Sequence, residues 1–359
     1  MKASGRQLHL DSLRVIAAQL IVLHHLTVYG PLSVALNEHL PNISYWLFHE
    51  ALLTVQIFLV VGGYVAAMSL GAGSATWKKP LWVLWLRRYW RLAAPCFVAV
   101  LLTCLCTEVA RLVMQDNMLS ATPTLGQLAG HALLLQNLLG QEALSAGVWY
   151  VAIDVQLFAL LSLLMWPAAH LKSPLGARLS VLTVLLIMAA SLVFFNLDAR
   201  WDIGALYFFG AYAMGACAYW AGTSARRGKG LALLVLLGLG VGLTLAYEFR
   251  ERIAIALAVA LWLGGLLGQR ALLQASKEAL PLLGERIIQW GGRTSYALFL
   301  VHFAVLTLVN ALFAQIPHPS WGGVAACVVL YWLASMGLAA AFDRWVERPL
   351  QTPPWVKQA

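Results

Sequence analysis

About ten stretches of roughly twenty predominantly apolar residues follow one another along this chain, and each is long enough to cross a bilayer as a helix. Only 11% of the 359 residues are charged and 61% are hydrophobic, whereas about 25% of the residues in a soluble domain are charged. Because backbone polar groups in lipid must be satisfied within their own segment, we predict an all-α, polytopic membrane protein with about ten transmembrane helices. The predicted spans are 10–29, 49–70, 81–107, 146–169, 178–196, 203–221, 229–247, 252–269, 293–314 and 321–343.

The lysines and arginines between the spans predict the orientation of the chain. Most of them fall on the side of the N-terminus, and the few on the opposite side each have an acidic residue nearby. Those few are Arg111, Arg200, Arg250 and Arg252. Since basic residues are retained on the cytoplasmic side, we expect both termini to be cytoplasmic. The net charge of +9 is spread over many short segments, which indicates a membrane surface and argues against a nucleic-acid partner.

The sequence predicts a single membrane-embedded domain over 1–359, with a transmembrane core at about 10–350, because no linker or low-complexity tail divides it. The longest outer loop, 108–145, contains an apolar segment from His131 that is too short to span a bilayer. We expect it to form an interfacial or re-entrant helix, or a cap over a cavity. The five cysteines lack metal-ligand spacing beyond one C-x-C pair, so no metal site is predicted.

The first span carries two ionisable residues on one face of its predicted helix. Arg14 and His25 are eleven positions apart, so they lie within ~20° of each other around the helix and ~16 Å apart along its axis. His24 lies ~80° away from Arg14, and the sequence leaves open which of the two histidines is functional. Charged side chains in a membrane are costly and usually face a polar interior or a cavity. Arg14 can instead reach the interface, whereas His25 lies too deep to do so.

The ninth span repeats this arrangement. Ser295 and His302 are seven positions apart and lie within ~20° of one face, with Phe299 between them. The alternative is a histidine that bonds only a carbonyl of its own helix.

The fourth span adds a carboxylate and aromatic residues. Tyr150 and Asp154 share a helix face at i,i+4, and Trp149 shares another face with Gln156. Since a lone buried carboxylate is unfavourable, we expect a histidine or arginine partner for Asp154, which could in turn orient His25.

A dense basic cluster begins the third span, where Arg87, Arg88 and Arg91 precede Pro95. An anchor on the positive side of the membrane explains it on charge alone, and a phosphate-rich ligand arriving from the cytoplasm would also suit it. The segment FLVVGGY, over 58–64, places two glycines in mid-helix, which permits close packing of a neighbouring helix or a substrate.

These segments, in this order, resemble the acyltransferase-3 family of membrane acyltransferases. The first span matches the family's L-D-x-L-R…H opening at Arg14 and His25. RRYWRLAAP is similar to its R-x-x-R…P segment at Arg88, Arg91 and Pro95.

Three further segments are similar to segments of the family and differ from them by substitutions. FLVVGGY is similar to F-x-x-x-S-G-F with Gly62 for serine, and GVWYVAIDVQLF is similar to W-x-L-x-x-E-x-Q-F with Asp154 for glutamate. SYALFLVH is similar to S-Y-x-x-Y-L-x-H, with Tyr296 and His302 retained and Phe299 for the second tyrosine. The closing WVERPL resembles the family's E-R-P. The resemblance runs from 10 to 350, although 178–270 contributes little to it.

The resemblance implies a membrane O-acyltransferase of the carbohydrate O-acetyltransferase type in a bacterial inner membrane. It implies acetyl-CoA as the donor, a hydroxyl of an extracytoplasmic carbohydrate as the acceptor, contact with membrane lipids, and a glycan-assembly protein as a partner. Histidine titrates near neutral pH, so His25 is expected to act as a general base or a transient acyl carrier. The other expected site residues are Asp154 and His302 in catalysis, Arg14, Arg88 and Arg91 in donor binding, and Tyr150, Trp149, Ser295 and Tyr296 in substrate positioning.

A second class of function stays open from the residues alone. Buried arginine, histidine and aspartate also occur in proton-coupled transporters and lipid-linked glycan flippases. The absence of paired broken helices in two corresponding halves of the sequence argues against this alternative.

Overall fold

The computed structural model describes residues 8–71, 74–171, 174–268 and 282–356. These residues form helices joined by turns and contain no strand, which confirms the predicted all-α class. Several basic residues used to predict the orientation lie outside the described residues: Lys2, Arg6, Lys172, Arg270, Lys277 and Lys357.

The described helices are listed here in chain order. They are α1 (Leu8–Val28), α2 (Pro31–His39), α3 (Pro41–His49), α4 (Val55–Ser69), α5 (Leu81–Arg111), α6 (Leu125–Ala132), α7 (Val148–His170), α8 (Pro174–Val193), α9 (Ala205–Thr223), α10 (Arg227–Tyr247), α11 (Glu251–Gly268), α12 (Leu282–Phe313) and α13 (Trp321–Phe342). A π-helical segment, Asp343–Glu347, continues α13 into a short terminal helix, α14 (Arg348–Leu350).

A helix occurs at each of the predicted spans. Seven of the described helical segments are long and apolar enough to cross a membrane, and the bent pair α1–α2 would make eight. Helices α9 and α11 match two predicted spans but are not among those seven. The chain is therefore multi-pass, while the count of about ten spans and the cytoplasmic placement of both termini stay predictions.

The described residues group into two compact units. Unit 1 comprises 1–54, 89–152 and 287–359, and unit 2 comprises 55–88 and 153–286. Helices α5 and α7 contribute residues to both units. The single domain over 1–359 stays a prediction.

In unit 1, α1 ends at a sharp break that the sequence encodes. Gly30 has a φ of 79°, a left-handed conformation that favours glycine, and Pro31 then starts α2. The axes of α1 and α2 differ by 96°. Asn310, which lies on α12, stabilises this break. Its Oδ1 accepts the Leu32 N–H at 2.9 Å, and its Nδ2 donates to the Tyr29 carbonyl at 3.3 Å.

Helices α1 and α12 run in the same direction and pack closely at one end. A Cβ at Gly292 would lie 2.5 Å from the Cβ of Asp11, and one at Gly291 would lie 2.7 Å from a methyl of Val15. Only glycine fits this approach, since an ordinary non-bonded carbon contact is about 3.5–4.0 Å.

We expect Gly292→Ala to destabilise the protein by roughly 1–3 kcal/mol, the usual cost of overpacking. The clash involves the Cβ of Asp11, which cannot move without its backbone. The measurement is the thermal unfolding midpoint in detergent. The control is Gly242→Ala in α10, where nothing lies within 4 Å of the added methyl. If both variants unfolded at the same temperature, the close approach of α1 and α12 would be refuted.

In unit 2, α4 and α9 cross at a similar contact. A Cβ at Gly63 would lie 1.8 Å from the Tyr212 carbonyl oxygen, and one at Gly215 would lie 1.9 Å from the Val60 carbonyl oxygen. The two glycines of FLVVGGY were predicted to permit close packing, and Gly63 does so against α9.

The segment between α5 and α7 forms a short helix in unit 1. Helix α6 begins with a capping box, in which Thr124 and Gln127 satisfy each other's backbone N–H groups. His131 at its end is buried, donates from Nδ1 to the Gln127 carbonyl at 2.8 Å and accepts the Leu144 N–H at Nε2 at 3.1 Å. The bond accepted at Nε2 requires the neutral ring, and burial lowers the pKa of His131 below its usual value.

Acidification is therefore expected to loosen this segment. A histidine whose pKa is lower in the folded than in the unfolded chain does not destabilise the fold above about pH 6.5. It destabilises the fold increasingly as the pH falls below that value. The measurement is the protection factor of the Leu144 amide, that is, its hydrogen exchange relative to the intrinsic rate at each pH, between pH 8 and pH 5. His131→Gln should remove the change with pH, and His318→Asn at an exposed loop position should keep it. Equal pH dependence in the wild type and in His131→Gln would contradict this assignment.

Candidate active site

The centre of unit 1 contains a pair of buried histidines from α1 and α12. The Nδ1 of His25 lies 2.7 Å from the Nε2 of His302. Their ring planes are within 4° of each other, with centroids 5.0 Å apart. His302 is fully buried and His25 is 8% exposed. The sequence predicted a functional face for each residue, and the structure brings the two residues together.

The register of α1 against α12 produces this pair. Asp11 faces Gly292 near one end of the two helices, and Leu32 bonds Asn310 beyond the other. The pair His25 and His302 lies between these contacts. The position of the pair is thus fixed by a glycine contact at one end and by the break after α1 at the other.

His24 has a different role from its neighbour. Its Nδ1 donates to the Leu47 carbonyl at 3.0 Å, which ties α1 to α3. This bond explains a second buried histidine next to His25 as part of the packing of unit 1, and it favours His25 as the chemically active member of the two.

Aromatic residues lie between the histidine pair and the start of α7. The ring of Phe299 lies 6.3 Å from that of His302 and 5.8 Å from that of Tyr150, between centroids. Gly147 precedes α7 with a φ of 85°, and a Cβ there would lie 2.7 Å from the Phe299 ring. The Trp149 ring lies 6.2 Å from that of Tyr150. Tyr150 and Trp149, both predicted to position substrate, are thus placed on the same aromatic cluster as His302.

Ser295 and Tyr296 make backbone contacts in unit 1. The Ser295 hydroxyl donates to the Gly292 carbonyl of its own helix at 3.0 Å, and the Tyr296 hydroxyl donates to the Leu92 carbonyl of α5 at 2.8 Å. Tyr296 therefore joins α12 to α5. Their predicted roles in substrate positioning stay predictions.

In unit 2, Asp154 is buried and paired with an arginine. The Nη2 of Arg88 donates to the Asp154 Oδ2 at 2.5 Å, and the guanidinium lies 5.2 Å from the centre of the Phe158 ring. The expectation of an arginine or histidine partner for Asp154 is thus confirmed by Arg88. The pairing also gives Arg88 a role that its motif alone did not predict.

Gly62 and Tyr212 lie beside this ion pair. A Cβ at Gly62 would lie 3.4 Å from the Asp154 Oδ1 and 3.1 Å from the Tyr212 ring. The position where the family's motif has serine therefore faces the carboxylate, and glycine leaves space there. The buried Tyr212 hydroxyl has no hydrogen-bond partner among the described residues, and sequence reasoning missed it because a tyrosine in an apolar span gives no distinct signal.

The remaining predicted donor-binding residues are more accessible. Arg14 lies 3.5 Å from Asp11, and its side chain is 31% exposed. Arg91 is exposed on α5. These exposures are compatible with a ligand, and the predicted role of both residues stays a prediction.

Asp343 is a second buried carboxylate, and unlike Asp154 it was missed by sequence reasoning. It is buried, and its Oδ2 accepts from the Nε and Nη2 of Arg348 at 3.0 and 2.5 Å and lies 3.5 Å from the Nε of Arg293. The π-helical turn aligns residues five apart, which brings Arg348 onto Asp343. Arg348, the arginine of the closing E-R-P segment, therefore shares the Asp343 carboxylate with Arg293, which starts the ninth predicted span.

Unit 1 thus holds two buried imidazoles that are joined by one hydrogen bond and lie next to an aromatic ring. Such a pair can accept the proton of a reacting group and return it. Among the described residues, no group of three or more histidine, cysteine, aspartate or glutamate side chains is arranged to hold a metal ion.

A scan against protein-family models matched the chain over residues 8–339 to the acyltransferase domain of the acyltransferase-3 family. No curated protein and no solved structure matched it. The matched range includes His25, Asp154 and His302 and extends over most of the chain. The protein therefore belongs to the acyltransferase-3 family of membrane acyltransferases.

Proposed function

We propose that the protein is a membrane O-acyltransferase of a bacterial inner membrane, which moves an acyl group, by default acetyl, from cytoplasmic acyl-CoA to a hydroxyl of an extracytoplasmic carbohydrate. The family supports acyl transfer as the activity. The observation that carries the proposal is the buried contact of 2.7 Å between His25 and His302. A positioned base next to aromatic rings can activate a hydroxyl for attack on a thioester.

The proposed reaction uses His25 as the group that handles the proton. The acceptor hydroxyl gives its proton to His25, and its oxygen attacks the thioester carbonyl. The carbon–sulfur bond then breaks, and the coenzyme A thiolate recovers the proton from His25. In the alternative with a covalent intermediate, a ring nitrogen of His25 attacks the thioester carbonyl, the carbon–sulfur bond breaks and coenzyme A leaves as the thiolate. The acceptor hydroxyl then attacks the acyl group on the ring, the bond from the acyl carbon to the ring nitrogen breaks, and the thiolate takes the proton of the hydroxyl.

The resemblance assigns donor binding to Arg14, Arg88 and Arg91. Guanidinium groups bind phosphate oxygens with two parallel hydrogen bonds, which suits the phosphates of coenzyme A. Tyr150 and Trp149 are proposed to contact the acyl group or the sugar, since aromatic faces commonly pack on sugar rings. Asp154 contributes to catalysis in this proposal as the carboxylate partner of Arg88. A glycan-assembly protein is the proposed partner that presents the acceptor.

The proposal is tested with inside-out membrane vesicles from cells that carry the gene and from a deletion strain. The vesicles receive acetyl-CoA labelled in its acetyl carbon. Alkali-labile label in the carbohydrate fraction, present only with the gene, is expected. Purified protein in lipid nanodiscs should also be stabilised against heat by coenzyme A, which binds only the folded state.

The same experiment separates the alternative of a transporter or flippase. Proton-dependent uptake of a solute, with no stabilisation by coenzyme A and no labelled carbohydrate, would overturn the acyltransferase proposal.

A further inference from the structure

The geometry of the histidine pair restricts where its protons lie. The centroid separation of 5.0 Å, with Nδ1 and Nε2 only 2.7 Å apart and the planes within 4°, places the rings edge to edge in a common plane. The N–H of one nitrogen therefore points along the lone pair of the other, as a strong hydrogen bond requires.

The contacts of His302 determine which of its ring nitrogens carries a hydrogen. Its Nδ1 lies 3.0 Å from the Leu298 carbonyl oxygen. A carbonyl only accepts, so Nδ1 carries the hydrogen. A neutral imidazole has one N–H, and the Nε2 of His302 is therefore an acceptor.

The tautomer of His25 follows from that of His302. Because Nε2 of His302 accepts, Nδ1 of His25 must donate to it, and the remaining nitrogen of His25, Nε2, holds a lone pair. This Nε2 has no hydrogen-bond partner within the part of the chain that the structure describes, and His25 keeps 8% of its surface exposed. The hydrogen bonds from the Leu298 carbonyl through His302 thus leave one unprotonated nitrogen, Nε2 of His25, that can act as a base.

We propose that His302 is a positioning residue that holds His25 in the Nδ1–H tautomer, so that Nε2 of His25 is the reacting nitrogen. This inference rests on the proposed function for its role in catalysis, but not for the tautomer itself. When the Nε2 of His25 takes a proton from a hydroxyl, its Nδ1–H remains bonded to His302 and can shift to the Nε2 of His302. The positive charge is then shared by two rings, and the proton returns by the same route when the thiolate leaves.

The tautomer is tested directly by nitrogen NMR of the full chain in lipid nanodiscs, labelled with 15N-histidine. The chain has nine histidines, and the signals of interest are identified by their loss in His25→Gln and His302→Gln. At pH 8, above the ordinary histidine pKa of about 6.5, we expect an unprotonated Nε2 in His25 and a scalar coupling between its Nδ1 and the Nε2 of His302. A protonated Nε2 in His25, or no coupling between the rings, would overturn the inference.

The catalytic consequence is tested by two replacements of His302. Glutamine places an acceptor oxygen near the position of Nε2, and we expect His302→Gln to keep kcat within about tenfold of wild type. Leucine fills the space without an acceptor. For His302→Leu we expect a larger fall in kcat, which approaches the roughly 10²–10⁴-fold that a positioned base contributes. The KM for acetyl-CoA should change little. In the leucine variant the His25 signals should show a mixture of tautomers.

Each outcome decides one of the two claims. Equal losses of kcat in the glutamine and leucine variants, with an unchanged His25 spectrum, would leave His302 a packing residue only and overturn the inference. If His302→Leu does not fold, the wild-type spectrum and the glutamine variant still decide it. Absence of acetyl transfer by the wild type, together with the expected spectrum, would refute the proposed function and leave the tautomer assignment in place.

Discussion

Replacement of His25 by asparagine is expected to lower acyl transfer by roughly 10²–10⁴-fold, the contribution typical of a positioned general base. Asparagine has no nitrogen that titrates near neutral pH, but its amide N–H lies near the position of Nδ1 and can still donate to the Nε2 of His302. The fold should therefore survive. The measurement is the initial rate of label transfer from acetyl-CoA at saturating donor, together with the thermal unfolding midpoint of the purified variant.

The matched control for this prediction is the adjacent residue. His24→Asn retains a donor near the position of Nδ1 for the Leu47 carbonyl, and we expect its rate to stay within a few-fold of wild type. Full activity in His25→Asn, or an equal loss in both variants, would refute the distinction between the two histidines.

The second large effect concerns the ion pair of unit 2. Arg88→Met is expected to destabilise the protein by about 3–5 kcal/mol, because it leaves Asp154 buried without its cation. The double variant Arg88→Met/Asp154→Leu should recover much of this loss, since a well-packed apolar pair often replaces a buried ion pair at little cost. The measurement is the free energy of unfolding of each variant in a mixed detergent titration.

An exposed ion pair provides the control. Arg200 bonds Asp198 at 2.6 Å, but its side chain is 87% exposed, and water and salt screen exposed pairs so that they contribute little to stability. We therefore expect Arg200→Met to leave the stability almost unchanged. A small loss in Arg88→Met, similar to that in Arg200→Met, would show that the Asp154 carboxylate is not buried as described.

Much of the architecture could be predicted because the length of an apolar run in the sequence indicates a membrane helix. The break after α1 follows from glycine and proline at 30 and 31, and the faces of Arg14, His25 and His302 follow from helical periodicity. Periodicity says which residues share a face, but not which other helix that face meets. The pairing of His25 with His302, 277 positions later, depends on the Gly292 contact and could not be predicted from either span alone.

The same limit explains the residues that were missed or given another contact. The sequence predicted the chemical type of the partner of Asp154 but not that it would be Arg88. Asp343 looked like the end of an apolar span, and only a π-helical turn brings Arg348 onto it. Ser295 shares a face with His302, yet its hydroxyl is satisfied by its own helix. A serine in a membrane helix has that local option, and a sequence does not reveal when it is used.

The sharp end of α1 has an electrostatic consequence for the reaction. Because Gly30 and Pro31 stop the helix at Val28, His25 lies in its last turn. The carbonyl groups at a helix C-terminus carry a partial negative charge, which stabilises a nearby cation by roughly 0.3–1 kcal/mol, and by up to about 2 kcal/mol when partly buried. His25 becomes cationic only while it holds the proton of the acceptor. The break in the chain therefore supplies a fixed negative potential at the moment when the ring is charged.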